Sequence, residues 1–266
     1  AAMVEDEKFL NIKKQAKEIR EMYKAKQRGF NALVLGESGS GKSVLATTGR
    51  RPIHFDVFDP GGADNLTKGI EEGWIIPDTR WEADDPMNPT VFRDWQVVMN
   101  KRFKEGYFDH LGSYVLDSST TWADTIMNQI LKAAGIPGET PRFTHDYGPQ
   151  KIKIVNWIKR LLGIPCDFIL TGHLDTYQDE VSGKVTYRFM TTGKGTVTIP
   201  LQFSEIWVTD TKRRSSGMDY QVLTARTGAH LARTRIGKGV FDTFEKPDIK
   251  YLLKKAGRPF EDKPLI

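Results

Sequence analysis

The strongest chemical signal in this sequence is the run Gly36, Glu37, Ser38, Gly39, Ser40, Gly41, Lys42, Ser43, which satisfies G-x-x-x-x-G-K-[ST] throughout. Glycines at these spacings let the backbone curl around an oxyanion so that successive N–H groups point inward. A helix opening behind the run, from Val44 onward, adds the partial positive charge of its N-terminus. A lysine at position 42 suits the β- and γ-phosphates, and a serine hydroxyl at position 43 suits Mg²⁺. The carboxylate of Glu37 is expected to face solvent. The chemistry is capture of a nucleoside triphosphate by residues 36–44, with ATP and Mg²⁺ as the expected ligands. A glycine/serine linker matches the same letters by chance only if no strand precedes it and no helix follows.

Hydrolysis needs further groups. Asp117 follows the apolar Tyr114-Val115-Leu116, so it is expected to end a strand neighbouring that of the loop and to hold the metal with Ser43. It is equally suited to capping the helix that Ser118-Ser119-Thr120 begins. A group must also orient or deprotonate water. Asp59, in the turn Asp56-Val57-Phe58-Asp59-Pro60-Gly61-Gly62, is the first candidate and Asp56 the second, on a strand expected beside the loop strand. Asp before Pro-Gly is also an ordinary turn former. Thr171-Gly172-His173 ends another apolar run, where His173 is placed to sense a γ-phosphate or to serve a structural role.

The elements that must hold these residues follow from periodicity. Residues 31–35, 51–57, 114–117 and 167–171 read as buried strands. Residues 44–48, 91–104, 121–134 and 150–162 read as helices, 68–89 as irregular, and 135–149 as a Gly/Pro-rich loop. Strand–helix alternation up to about residue 171 predicts βαβ units on a parallel sheet. Residues 185–189, 205–209 and 220–224 read as strands without intervening helices, hence an antiparallel part. Residues 1–29 read as a basic N-terminal helical extension, with Phe9, Ile12, Ala16, Ile19 and Tyr23 on one stripe expected to pack on a core, or else to serve subunit contact or nucleic-acid attraction. Residues 30–241 then make one α/β core, a mainly parallel sheet flanked by helices, and 242–266 a tail.

Composition bounds the rest. With 39 Lys+Arg against 34 Asp+Glu the net charge is +5, which permits a polyanionic partner without requiring one. The single cysteine, Cys166, excludes an intramolecular disulfide or a multi-thiolate zinc site and points to a reducing compartment, the cytoplasm. No apolar run is long enough to span a bilayer, and a charged N-terminus does not read as a signal peptide, so no membrane partner is expected.

The phosphate loop, Val115-Leu116-Asp117-Ser118-Ser119, the strand end Leu170-Thr171-Gly172-His173 and the late β-rich segment together resemble RecA-type ATPases. The resemblance is closest to phage-encoded nucleotide-binding proteins with a RecA-like core, related to phage single-strand annealing recombinases, and covers about residues 30–240. It implies an oligomer, ring or filament, that hydrolyses ATP and acts on single-stranded DNA, with a single-strand-binding protein as a further partner, in the cytoplasm of the host cell. Arg233 and Arg235, in Leu231-Ala232-Arg233-Thr234-Arg235-Ile236-Gly237, resemble the basic pair that reaches the γ-phosphate of an adjacent subunit. The DNA loops would be 135–150 and 176–198, the second carrying Lys184, Arg188 and Lys194 with Tyr177, Tyr187 and Phe189 between them. The recombinase glutamate two residues beyond the second-strand aspartate is absent, so Asp59 would substitute or turnover would be slow. Other readings are a DNA motor of helicase or packaging type, a small-molecule kinase, and a nucleotide-gated binding module.

Overall fold

Each continuous apolar run becomes a strand buried on both faces. The computed structural model describes residues 2–26, 29–189 and 199–266, giving the backbone alone for 2–5, 25–28 where described, 177 and 186–189. In β1 (Asn31–Gly36), Leu33 and Leu35 enter one core layer while Ala32 and Val34 enter the other, the period-2 alternation of a central strand. The chain continues through α2 (Lys42–Ala46), β2 (Ile53–Val57), α3 (Thr67–Glu71), β3 (Ile75–Asp78), α4 (Val91–Lys104), β4 (Ser113–Asp117), α5 (Ser119–Ala133) and α6 (Tyr147–Leu161). It ends with β5 (Asp167–Gln178), β6 (Val185–Phe189), β7 (Glu205–Arg214), β8 (Gly217–Leu223), β9 (Phe244–Glu245) and α7 (Ile249–Lys255).

The sheet order is β3-β2-β4-β5-β1-β7-β8-β9, parallel from β3 to β7 and antiparallel from β7 to β9. One layer packs α4, α5 and α6 on the sheet through Trp95, Trp122, Ile126, Trp157 and Ile158. The opposite layer packs α2 and α7 through Leu45, Ala46, Ile249, Leu252 and Leu253. The α/β class with an antiparallel C-terminal part therefore holds.

Several expectations change. Neither Asp-bearing strand adjoins β1: β5 lies between β1 and β4, and β2 lies beyond β4. Consecutive apolar runs predict strands but not their lateral order, which the crossovers set. The stretch 68–89, expected to be irregular, holds α3 and β3. Pro77 disguised the strand, and β3 tolerates it because it is an edge. The stripe on α1 (Ala2–Lys26) does not pack on the core: Phe9, Ile12, Ile19 and Tyr23 are exposed. Residues 242–266, read as a tail, contribute β9 to the sheet and α7 to a core layer. Among the described residues no helix is long and apolar enough to cross a membrane.

Candidate functional site

The carboxyl ends of β1, β2, β4 and β5 meet at a cavity of about 570 Å³, lined by residues 38–45 together with Asp59, Asn65, Asp117, His173, Thr209, Tyr220 and Pro247 among others. Gly39 (φ 75°) and Gly41 (φ 92°) take left-handed backbone, which lets the loop turn back on itself before α2. At Gly36 a side chain is excluded for a different reason: a Cβ there would collide with the Thr209 and Ser40 hydroxyls. Those hydroxyls lie 2.6 Å apart and tie the loop to β7, while Thr209 Oγ1 also donates to Leu35 O at 3.2 Å. Glu37 is exposed, as read.

Lys42 Nζ donates to the Gly36 and Glu37 carbonyls at 2.9 and 2.7 Å, so its ammonium sits over the concave side of the loop. Burial lowers its pKa, and the nearby carboxylates of Asp117, Asp59 and Glu37 only partly oppose that. Ser43 Oγ donates to Asp117 Oδ2 at 2.7 Å, and Thr171 Oγ1 donates to Asp117 Oδ1 at 2.5 Å. The intervening strand β5 is what makes this possible, since its Thr171 lies in register with Val34 of β1 and bridges sideways to β4. Burial pushes the Asp117 carboxyl above its usual range despite both hydroxyl bonds. A buried carboxylate and a hydroxyl converging from two elements are the hard oxygen donors that Mg²⁺ takes, so these residues fit that ion.

Asp59 sits where the turn after β2 meets the start of α5. Its Oδ1 accepts from Ser118 Oγ at 2.7 Å and from Thr121 Oγ1, and its Oδ2 lies 3.6 Å from His173 Nε2. The main-chain bond from Phe58 N to Asp117 O, 2.7 Å, fixes the turn against β4. Burial raises the Asp59 pKa, but the bonds from His173, Thr121 and Ser118 outweigh it and hold the carboxyl below its usual range. Asp59 and His173 are thus brought together, on the loop side of the cavity.

Asp56 is not at this site. It is fully buried and surrounded by donors: His54 Nε2, Trp81 Nε1, Trp95 Nε1, Arg102 Nη1 and Tyr114 Oη. A side chain pointing inward from a strand interior cannot reach water, which corrects its reading as the second base candidate.

Arg233 and Arg235 do not line the cavity. Arg233 pairs through its backbone with Ile206, itself in register with Leu33, three residues and about 10 Å before Gly36 along β1. Its guanidinium Nη2 donates to Pro200 O and Phe203 O. The Arg235 backbone N–H is anchored to Glu205 Oε1 at 2.7 Å while its side chain is exposed. Lys184 is exposed beside the β5–β6 hairpin. Arg188 lies on β6 opposite Asp175, its side chain outside the described residues, as is Lys194 altogether.

Sequence reasoning missed Ser118, Thr121, Thr171, Thr209 and Tyr220. A polar residue ending an apolar run was the available signal for Thr171 and Thr209. Thr121 and Tyr220 had none, because their places depend on where α5 and β8 pack. The Tyr220 ring lies against Gly41, 3.1 Å from where a Cβ would stand.

Residues 28–236 match the AAA domain family AAA_24. No curated protein matches the chain. Among solved structures, a KaiC-like protein of the hyperthermophilic archaeon Pyrococcus horikoshii is similar at 14% identity, over 74% of this chain and 78% of that one, with a TM-score of 0.39. The flagellar accessory protein FlaH of Methanocaldococcus jannaschii is similar at 13% identity, over 82% and 84%, with a TM-score of 0.42. With the family matched over most of its length and the phosphate loop at the carboxyl end of a mainly parallel α/β sheet, the chain belongs to the AAA domain family.

Proposed function

We propose that this protein is a Mg²⁺-dependent ATPase whose nucleotide state is passed to a single-stranded DNA contact, in DNA recombination, annealing or replication. The observation that carries the reading is the convergence of Lys42, Ser43, Asp117, Asp59 and His173 on one cavity. The loop amides and Lys42 hold the β- and γ-phosphates, and Ser43 with Asp117 would hold Mg²⁺. When bound, that ion neutralises charge developing on the phosphate oxygens. Asp59 uses Oδ1 to accept the two hydroxyls, and Oδ2, 3.6 Å from His173 Nε2, is the oxygen that orients a water. The water oxygen bonds to the γ-phosphorus, the bond to the β–γ bridging oxygen breaks, and the water proton passes toward Asp59.

Two features support coupling. β5 runs unbroken from Thr171 through His173 into the hairpin with β6, so a side chain beside the cavity and the hairpin share one strand. The hairpin segment carries Lys184 and Arg188, suited to backbone phosphates. In an oligomer, ring or filament, Arg235 is the better trans-acting residue of its pair, since the Arg233 guanidinium is committed to two carbonyls. One observation favours a second reading, a nucleotide-gated module with slow turnover: the low-pKa Asp59 is a weak proton acceptor.

ATP hydrolysis with and without single-stranded DNA, in the parent and in Lys42→Ala, tests the proposal. Turnover stimulated by DNA and absent from the variant is expected. ATP binding without turnover selects the gated module, and no binding at all overturns both readings.

A further inference from the structure

Among the described residues, the helix α1 carries a stripe that stands exposed, with only Tyr23 bordering a cavity shared with Phe30 and Leu253. Phe9, Ile12, Ile19 and Tyr23 are 57%, 62%, 66% and 63% exposed, and Ala16 completes the series. Their spacing is 3, 4, 3 and 4 residues, the a/d alternation of a coiled-coil seam rather than the wider stripe of a helix lying on a globular core. In proteins most helical stability comes from packing an amphipathic face rather than from propensity, so a 25-residue helix with an exposed apolar stripe gains from a partner.

Charge identifies the partner. The helix begins with the acidic run Glu5-Asp6-Glu7, and from Lys13 to Lys26 basic residues predominate: Lys13, Lys14, Lys17, Arg20, Lys24 and Lys26 against Glu18 and Glu21. Two parallel copies would set basic half beside basic half. Two antiparallel copies set the acidic start of each against the basic half of the other.

We propose that α1 is a self-association element that pairs antiparallel with α1 of a second copy of this chain. Seam layers in an antiparallel pair join an a position to a d position. Matching acid to base selects the register with Phe9 against Ile19 of the second copy and Ile12 against its Ala16, each layer occurring twice by symmetry. Asp6 then flanks Arg20 of the second copy, also twice, while the two Lys13 side chains meet near the axis and keep the pairing weak. The contact is isologous and closes on two copies. It is independent of the nucleotide site, which lies on the sheet body. A ring or filament built through other surfaces would be joined through α1 in pairs.

Sedimentation equilibrium of the full chain across micromolar concentrations tests this, with nucleotide binding measured in parallel as a check on the fold. The parent is expected to show a monomer–dimer equilibrium that weakens as salt rises. Ile12→Asp with Ile19→Asp should reduce association at least tenfold and leave nucleotide affinity unchanged. Asp6→Arg and Arg20→Asp should each weaken association, and the two together should restore it. A monomeric parent overturns the proposal, as does association that survives the double Ile variant. Single charge variants whose losses add when combined, instead of cancelling, overturn the antiparallel register. Loss of ATP binding in the parent would sink the ATPase reading and leave this result standing.

Discussion

Asp59 and Asp117 are both carboxylates at strand ends facing one cavity, yet their surroundings move them in opposite directions. Asp117 is buried and pushed up, so protons compete with a cation for it at higher pH than for an ordinary carboxylate. The apparent Mg²⁺ affinity is therefore expected to fall on acidification from neutral pH sooner than an ordinary carboxylate would allow, which a Mg²⁺ titration of nucleotide turnover at each pH would read. Asp59 is held low and stays ionised further into acid. Replacing it with Asn should lower kcat by about 10²–10⁴-fold while ATP binding changes little, the usual size of a lost general-base contribution. Thr121→Val, removing one of the two hydroxyls on Oδ1, should lower kcat by less and leave binding intact. Lys42, Ser43, Asp59, Asp117 and His173 were nameable from the sequence because each closes an apolar run or a fixed-spacing motif. Thr121 was not, since its relation to Asp59 spans 62 residues and exists only once α5 packs beside the β2 turn.

At the scale of elements, one buried carboxylate joins four of them. Asp56 on β2 accepts from Tyr114 of β4 at 2.5 Å, Trp95 of α4 at 2.9 Å and Arg102 of α4 at 2.9 Å. Arg102 in turn donates to Asp78 of β3 at 2.7 Å. His54, Asp56 and Asp78 come close enough to suggest a cation site, but the guanidinium of Arg102 already fills that role. Asp56→Asn leaves Arg102 poorly compensated in the interior and should cost about 3–5 kcal/mol in denaturant unfolding. Burial alone would raise the Asp56 pKa, but His54, Arg102 and Tyr114 hold it far below the unfolded value. Its stabilisation is thus complete above about pH 4 and is lost as pH falls below that, so the variant should narrow the acid sensitivity of unfolding. None of this was legible beforehand: the sequence shows an Asp in an apolar strand, which reads as a surface or turn residue until its distant partners are placed. Likewise β3 was hidden by Pro77, whereas β1, β4 and β5 were visible as unbroken apolar runs.

For the whole molecule, the sheet centre is also its least accessible part. Cys166, at the entrance to β5, is fully buried, and burial pushes its thiol far above its usual value. Labelling by a thiol reagent should therefore wait for unfolding, and its rate against denaturant should follow the global transition rather than a local one. The strand pairing has a further consequence, in time rather than in energy. β1 meets β5 first at Asn31 and Phe168, 137 residues apart, and meets β7 at Ala32 and Glu205, 173 residues apart. On a ribosome adding about 5–20 residues per second, the phosphate-loop strand emerges several seconds before either neighbour exists to flank it. An apolar strand with both edges open is prone to pair with the wrong chain, so the nascent protein has reason to need a chaperone before it has a nucleotide site.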